Sequence, residues 1–136
     1  MPPPINQACL DLVVLPQTFT VKQYPADGGI PLDIRKDLDV PKVKPGLLSV
    51  TRTAEEVSIV SEVLGDGGDW KCIKIAGPME FDLTGVICSF TTPLKHADVP
   101  VFAVSTWNTD YVLVPKVKIG RAVEVLSVDG WKFTDK

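Results

Sequence analysis

The stretch VFAVSTWNTDYVLVP, Val101–Pro115, contains two runs of β-branched and aromatic residues around the polar segment Trp107-Asn108-Thr109. This pattern predicts a β-hairpin. Because so short a turn joins neighbouring strands that run in opposite directions, the two strands are expected to pair antiparallel. The fold should therefore contain an antiparallel sheet.

The segment upstream of this hairpin reads as another strand. In KCIKIAG, Lys71–Gly77, apolar and charged residues alternate, so that Ile73 and Ile75 share one face and Lys74 lies on the other. Pro78 follows directly, and the Gly-Pro pair indicates a loop. We expect a buried strand followed by a turn.

Two helices flank the hairpin in this prediction. Asp82 is expected to cap the first, and at Pro93 this helix is expected to kink or restart in its last turns. Its apolar stripe is Leu83, Val86, Ile87, Phe90 and Leu94. The stripe of the second helix is Ile119, Ala122, Val123 and Leu126. With a final edge strand at Trp131–Phe133, the order is βαββαβ, and the predicted class is α+β with helices on one face of an antiparallel sheet.

The first half of the chain is less regular. Leu10–Leu15 and Thr18–Tyr24 indicate strands, and Pro31–Leu38 can form at most a short helix. Gly46–Val60, GLLSVTRTAEEVSIV, predicts a second hairpin. The first half thus has the strands of the second but reduced helices.

The two hairpins can be aligned without gaps, Ser49–Val60 on Ala103–Val114. The identical pairs are Val50 with Val104 and Val60 with Val114. Two identities support a repeat only weakly, because any two hairpins share β-branched residues. The shared order of hydroxyl, turn, acid and apolar run supports it further.

The loop LGDGGD, Leu64–Asp69, is the best candidate for a junction between the halves. The predicted organisation is a tail at 1–8, a first half at 9–64, a linker at 65–69 and a second half at 70–136. A linker this short requires the halves to pack together.

Charge and hydropathy exclude several classes of partner. The net charge of −3 comes with scattered lysines, so no basic surface for nucleic acid is expected. Apolar runs such as Leu10–Leu15 are far too short to cross a bilayer, and the N-terminus shows no secretory pattern. We expect a soluble, cytoplasmic protein that does not bind membranes.

Catalytic and metal-binding patterns are also missing. Cys9, Cys72 and Cys88 form no CxxC pair, and they are expected to be reduced and partly buried. His96, the one histidine, is expected at the surface near a helix end. No cofactor or metal site is predicted, and an enzyme would have to depend on Asp82, Asp110 or Cys88 without an activating base.

The segments SVTRTAEEVSIV, WKCIKIAGPMEFDLTGV and VFAVSTWNTDYVLV resemble the small stand-alone double-ACT proteins of bacteria and fungi. These proteins are related to the ACT segments of the CASTOR-type arginine sensors. The resemblance implies two ferredoxin-like ACT units, a non-catalytic role as an amino-acid sensor or regulator, and assembly into a homodimer or small homo-oligomer.

In that family the ligand lies between ACT units, against the turn that opens the first helix. The residues implied by the resemblance are Ser49, Val50, Gly77, Phe81, Asp82, Leu83, Thr84, Gly85, Ser105, Thr106 and Asp110. The family's usual glycine and aliphatic pair at the helix start is replaced here by Phe81-Asp82-Leu83-Thr84-Gly85, so the resemblance does not identify the ligand.

The chemistry of these residues fits a zwitterion. Free amides at the start of the helix favour a carboxylate, and Gly85 in the first turn would let a ligand approach the backbone. Asp82 or Asp110 could receive the ammonium group. Alternatively, Asp82 is a plain N-cap and Asp110 a plain turn residue. The competing function is a protein-interaction adaptor whose pocket is filled by Phe81 and Leu83.

Overall fold

The computed structural model describes residues 8–40, 46–63, 65–78 and 85–134. Its strands are β1 (Leu12–Val14), β2 (Thr18–Pro25), β3 (Ser49–Arg52), β4 (Glu56–Val63), β5 (Trp70–Ile75), β6 (Phe102–Ser105) and β7 (Asp110–Pro115). Its helices are α1 (Leu32–Asp39), α2 (Val86–His96) and α3 (Ile119–Val128), with short 3-10 turns at Ala8–Leu10 and Lys116–Lys118. The α+β class and both predicted hairpins are confirmed.

Both halves contribute to one continuous sheet with the strand order β3-β4-β2-β5-β7-β6. Every ladder is antiparallel. The same side of β5 pairs with β1 over residues 73–75 and meets β2 only where Phe19 lies opposite Trp70. β5 therefore joins the two halves at the centre of the sheet.

Helices α2 and α3 cover one face of β5 and β7. The buried residues that pack together there include Ile73, Ile75, Phe90, Leu94, Val112, Val114, Ala122 and Leu126. Trp131 closes this core, with its ring centroid 5.5 Å from that of Phe90. The predicted stripes are confirmed at their central positions, whereas Ile87 is 37% exposed because it lies at the margin of its stripe.

The first half is helix-poor, as predicted. α1 has eight residues and none of them is buried. β4 ends at Val63 and β5 begins at Trp70, which leaves no room for a counterpart of α3. Leu32, Leu38 and Val40 in and after α1 are consequently exposed.

Two boundaries differ from the sequence prediction. α2 begins at Val86 with Gly85 as its N-cap, so the predicted cap at Asp82 is wrong. The expected edge strand at Trp131–Phe133 is reduced to one isolated parallel bridge between Leu12 and Phe133. β1 occupies that side of β5 instead, because its three residues pair with β5 and exclude a second neighbour there.

The junction between the halves is tightly bonded. Thr18 Oγ1 donates to the carbonyl of Gly65 (2.8 Å) and accepts from the amide of Gly68 (2.9 Å). A Cβ atom at Gly68 would lie 2.5 Å from the carbonyl oxygen of Phe19, so only glycine fits. Lys116 binds the same segment through its amide, which donates to the carbonyl of Asp69 (2.7 Å).

The turns of the two hairpins have the same hydrogen-bonding pattern. The Thr53 amide donates to the Glu56 carbonyl, and the Thr106 amide donates to the Thr109 carbonyl, both at 2.9 Å. In each turn the threonine hydroxyl adds further bonds to the residue three positions on. The turns therefore place Thr53 on Thr106, which is one residue away from the alignment that matches Val50 with Val104.

Candidate functional site

A cleft of about 520 Å³ lies between the two halves, on the face of the sheet opposite α2 and α3. The lining residues from β2, β3 and β4 are Val21, Lys22, Gln23, Ser49, Thr51, Glu56, Ser58 and Val60. Those from β6 are Phe102, Ala103, Val104 and Ser105. Because β3 and β6 are the two ends of the strand order and line the same cleft, the sheet curls on itself.

The first-half wall of the cleft is a cross-strand row of polar side chains. Gln23 lies opposite Ser58, and Ser58 lies opposite Thr51. Residues on the same face of adjacent strands contact one another, so the three side chains form a continuous strip. The next row along the strands is Val21, Val60 and Ser49.

The hydroxyls of this wall differ from the other strand hydroxyls. On the opposite face the bonded groups are Thr18 with Gly65 (2.8 Å), Thr20 with Ser61 (3.3 Å) and Ser105 with Asp110 (2.6 Å). Within the described residues, Ser49, Thr51 and Ser58 make no side-chain hydrogen bond. Their donors and acceptors are available to water or to a ligand.

The second-half wall is the unpaired edge of β6. Since Thr106 and Thr109 form a hydrogen-bonded pair, the alternation of antiparallel pairs leaves Ala103 and Ser105 in non-bonded pairs with β7. The amides and carbonyls of these two residues therefore point outward from the sheet edge. This explains why they line the cleft although their side chains lie on the other face.

The floor of the cleft is apolar and its charge is low. Val21, Val60, Phe102 and Val104 belong to a cluster that continues beneath the cleft to buried residues of β5 and β7. Glu56 is the one acidic residue in the lining, and its Oε1 accepts a hydrogen bond from Gln23 Nε2 (2.9 Å). Lys22 is the one basic residue in the lining, and its position opposite Ile59 in the ladder places its Cβ on the other face of the sheet.

The structure brings together Ser49 and Ser105 among the residues implied by the resemblance, since both line the cleft. Val50 follows Ser49 in β3, so its side chain points to the opposite face. Asp110 lies opposite Ser105, and its Oδ1 accepts a hydrogen bond from the Ser105 hydroxyl. The Asp110 carboxylate is thus outside the cleft.

Thr106 lies at the tip of the second hairpin, and Gly77, two residues after β5, lies against the same tip. Gly77 has φ of 64°, and a Cβ atom there would lie 3.0 Å from Thr109 Cβ. The buried Thr109 hydroxyl donates to the Ile75 carbonyl (2.7 Å), which fastens the tip to the end of β5. Gly77 and Thr106 therefore shape the backbone next to the loop that precedes α2.

The remaining implied residues concern that loop. Phe81, Asp82, Leu83 and Thr84 lie outside the described residues. Gly85 has φ of 74°, and space around its Cβ position is open. Gly85 is therefore the N-cap of α2 and does not lie in its first turn as predicted. Glycine is favoured there because the backbone is left-handed.

Sequence reasoning missed Gln23, Thr51, Ser58, Phe102 and Val104 as cleft residues. A signal was present in the first half, where Ser49 and Thr51 recur with the period of two that places them on one strand face. The curl of the sheet that brings β6 across from them has no local sequence signature.

Acid–base and metal chemistry find no support in the described residues. No three His, Cys, Asp or Glu side chains there are grouped to hold a metal ion. Cys88 is exposed, contrary to the partly buried position expected, whereas Cys72 is fully buried. Burial raises the pKa of the Cys72 thiol from about 9 to about 12, which keeps it neutral and unreactive. His96 is exposed at the end of α2, as predicted.

Partial burial also raises the pKa of Tyr111, whose ring lies 5.8 Å from Lys74 Nζ.

None of the described helices is long and apolar enough to span a bilayer.

Comparison with known proteins gives the following relations. Residues 67–128 match the family model of the ACT domain. The cytosolic arginine sensor for mTORC1 subunit 1 of Homo sapiens is 35% identical over 86 residues, which is 60% of this chain and 26% of that relative. The matched segment is therefore about a quarter of the relative's length.

Two solved structures share the fold. The protein Atu0741 of Agobacterium tumefaciens has 26% identity and a TM-score of 0.76, with 93% of this chain and 92% of that chain covered. The aspartokinase alpha and beta subunits have 10% identity and a TM-score of 0.63, with 88% of this chain and 96% of that chain covered. The second likeness concerns the fold alone.

Proposed function

We propose that this chain, whose residues 67–128 match the family model of the ACT domain, is a non-catalytic regulatory module that binds a free amino acid between its two ACT-like units. The observation that carries the proposal is the cleft between the halves, which contains Ser49 and Ser105. Its volume of about 520 Å³ lies within the usual range of small-molecule sites. The kinship with an arginine sensor supports a sensing role.

The walls of the cleft offer what a zwitterion needs. Outward amides of β6 can donate to the α-carboxylate, and outward carbonyls can accept from the α-ammonium group. The polar row of the first half faces the ligand from the other side. Both units therefore contribute to one site, and binding would fix their relative position.

Calorimetric titration of the whole chain with each standard amino acid tests the proposal. We expect one or a few amino acids to bind with a dissociation constant between about 1 µM and 1 mM, the range of −8 to −4 kcal/mol. Bound ligand should also raise the melting temperature by mass action. Absence of heat and of any melting shift at about ten millimolar, well above this range, contradicts the proposal.

Assembly into a homodimer or small homo-oligomer and a cytoplasmic location stay predictions. The β6 edge is unpaired on its outer side within the described structure, and unpaired edges favour association with another strand. Light scattering with and without ligand measures the oligomeric state.

A protein-interaction adaptor is the second candidate. Leu32, Leu38 and Val40, in and just after α1, are each exposed, Val40 by 72%. Exposed apolar surface can mark a contact with another protein. An adaptor predicts no amino-acid binding, so the same titration separates the two functions.

A further inference from the structure

We infer that the amino acid accepted by the cleft has a side chain ending in a neutral hydrogen-bonding group, a carboxamide or a hydroxyl. This inference rests on the proposed function and adds the class of ligand. It follows from three properties of the cleft lining: unpaired hydroxyls, low charge and an apolar floor.

The unpaired hydroxyls are confined to the cleft side of the strands. Ser49, Thr51 and Ser58 make no side-chain hydrogen bond within the described residues, whereas the strand hydroxyls on the opposite face are bonded. A hydroxyl both donates and accepts. A carboxamide or hydroxyl also does both, so such a group can satisfy two neighbouring members of this row at once.

The charges of the lining do not favour an ionic side chain. A cationic group would have to compete with Gln23, whose amide already donates to Glu56 Oε1 at 2.9 Å. The one basic residue of the lining, Lys22, has its Cβ on the opposite face from the hydroxyl row, so an anionic group on that row would have no cation beside it. Burying a charge beside neutral hydroxyls alone is costly, so a charged end on the row of Ser49, Thr51 and Ser58 is disfavoured.

An aliphatic side chain would bury the polar row without bonding to it. Covering a hydroxyl that is left without a hydrogen-bond partner is unfavourable, because the group loses its bonds to water. The apolar residues Val60, Phe102 and Val104 still allow the methylene groups of a polar side chain to pack on the floor. The lining thus selects a short apolar stem with a neutral polar end.

Competition between amino acids tests the inference. Glutamine, asparagine, serine and threonine represent the proposed class, against arginine and lysine, glutamate, and leucine. We expect the tightest ligand to come from the first group and to bind about tenfold or more tightly than arginine or leucine, a difference of one lost hydrogen bond or more.

Two variants locate the selectivity. Ser58→Ala and Thr51→Val should each weaken the preferred ligand by about five- to tenfold while leaving the weak binding of leucine unchanged or stronger. Ser127→Ala, which removes an exposed hydroxyl from α3, is the matched control and should leave every affinity unchanged.

The outcomes are distinguishable. If arginine, lysine, glutamate or leucine binds most tightly, the inference is overturned and the proposed function stands. If the two cleft variants weaken all amino acids equally, selection by the polar row is refuted. If no amino acid binds, the proposed function fails and the inference falls with it.

Discussion

The two hairpins of this sheet have turns with the same hydrogen-bonding pattern, but their strands present different side chains to the cleft. In both, a threonine amide bonds to the carbonyl three residues on, and the strands pair in the same alternation. The side chains facing the cleft nevertheless differ: Ser49 and Thr51 on β3, against Phe102 and Val104 on β6. The turns therefore give both hairpins the same backbone pairing, whereas the side chains of β3 and β6 decide which wall of the cleft is polar.

The attachment of each hairpin tip differs as well. Thr109 is 3% exposed and its hydroxyl bonds to Ile75, whereas the equivalent position in the first hairpin is the partly exposed Glu56. The second tip is fixed to the core by a buried bond, whereas the first is held by exposed bonds, from Gln23 to Glu56 and from Arg52 to the carbonyls of Ala26 and Gly28. The comparison places buried anchoring bonds in the second half and the polar side chains that face the cleft in the first.

The largest effect is expected at the junction that makes the halves one sheet. Gly68→Ala should destabilise the protein by about 3 kcal/mol, because the new Cβ atom would meet backbone atoms of Phe19 that cannot move alone. Gly120→Ala, in α3 with open space around it, is the control and should be neutral or stabilising. Urea denaturation measures both, and equal stabilities would mean that the junction does not couple the halves.

A smaller effect should separate the two hairpin tips. Thr109→Val leaves the Ile75 carbonyl without its buried partner and should cost about 1–3 kcal/mol. Thr53→Val, in the exposed first tip, should cost about 0.5 kcal/mol or less by loss of bonds that water can replace. If thermal unfolding shows similar losses for both variants, the proposed difference in attachment is wrong.

Alkaline pH probes the buried side of β5. The pKa of Cys72 is about 12 in the folded protein and near 9 when unfolded, so only the unfolded thiol releases its proton between these values. Stability should therefore fall with rising pH above about 9, with a contribution from this thiol approaching 1.4 kcal/mol per pH unit.

Cys72→Ala provides the comparison for this effect, because it removes the thiol and leaves the other titrating groups. The difference in unfolding free energy between wild type and variant, measured by urea denaturation from pH 8 to 10, should shrink as the pH rises. A constant difference would show that the Cys72 thiol is not protected from ionisation.

The smallest effect on stability is expected on the β6 edge. Ala103→Pro removes an amide that points away from β7, so folding should change by less than about 1 kcal/mol, as for proline on other sheet edges. Amino-acid affinity should fall by about tenfold if that amide contacts the ligand. Val104→Pro removes an amide bonded to β7 and should instead unfold the edge, which near-ultraviolet circular dichroism would detect.

Much of the fold could be predicted from local patterns. The stripe around Ala122 and Leu126 predicted α3, and alternation predicted β5 and both hairpins. Asp82 is a favourable cap by residue type, but Gly85, with its left-handed φ, is the N-cap, and the helix starts three residues later than predicted. The prediction of a last strand at Trp131–Phe133 is wrong because β1, which is distant in sequence, occupies that place beside β5.

The cleft was harder to predict than the fold. Matching Val50 with Val104 shifts the hairpins by one residue, and a shift of one reverses every side chain between the two faces. The turns show that Thr51 corresponds to Val104, so a hydroxyl and a valine occupy equivalent positions on the cleft side. Valine identities are too common in strands to reveal this, whereas the recurring threonine of the turn does.

The place of β1 beside β5 also bears on how the protein can be divided. β1 pairs with residues 73–75, and Leu12 hydrogen-bonds to both Lys132 and Thr134. The N-terminal segment thus completes the sheet of the unit that follows the linker, so a strand from the first half belongs structurally to the second. Cutting the chain at 65–69 would remove β1 from β5 and leave an unpaired strand edge that favours association, so we expect that neither fragment folds independently.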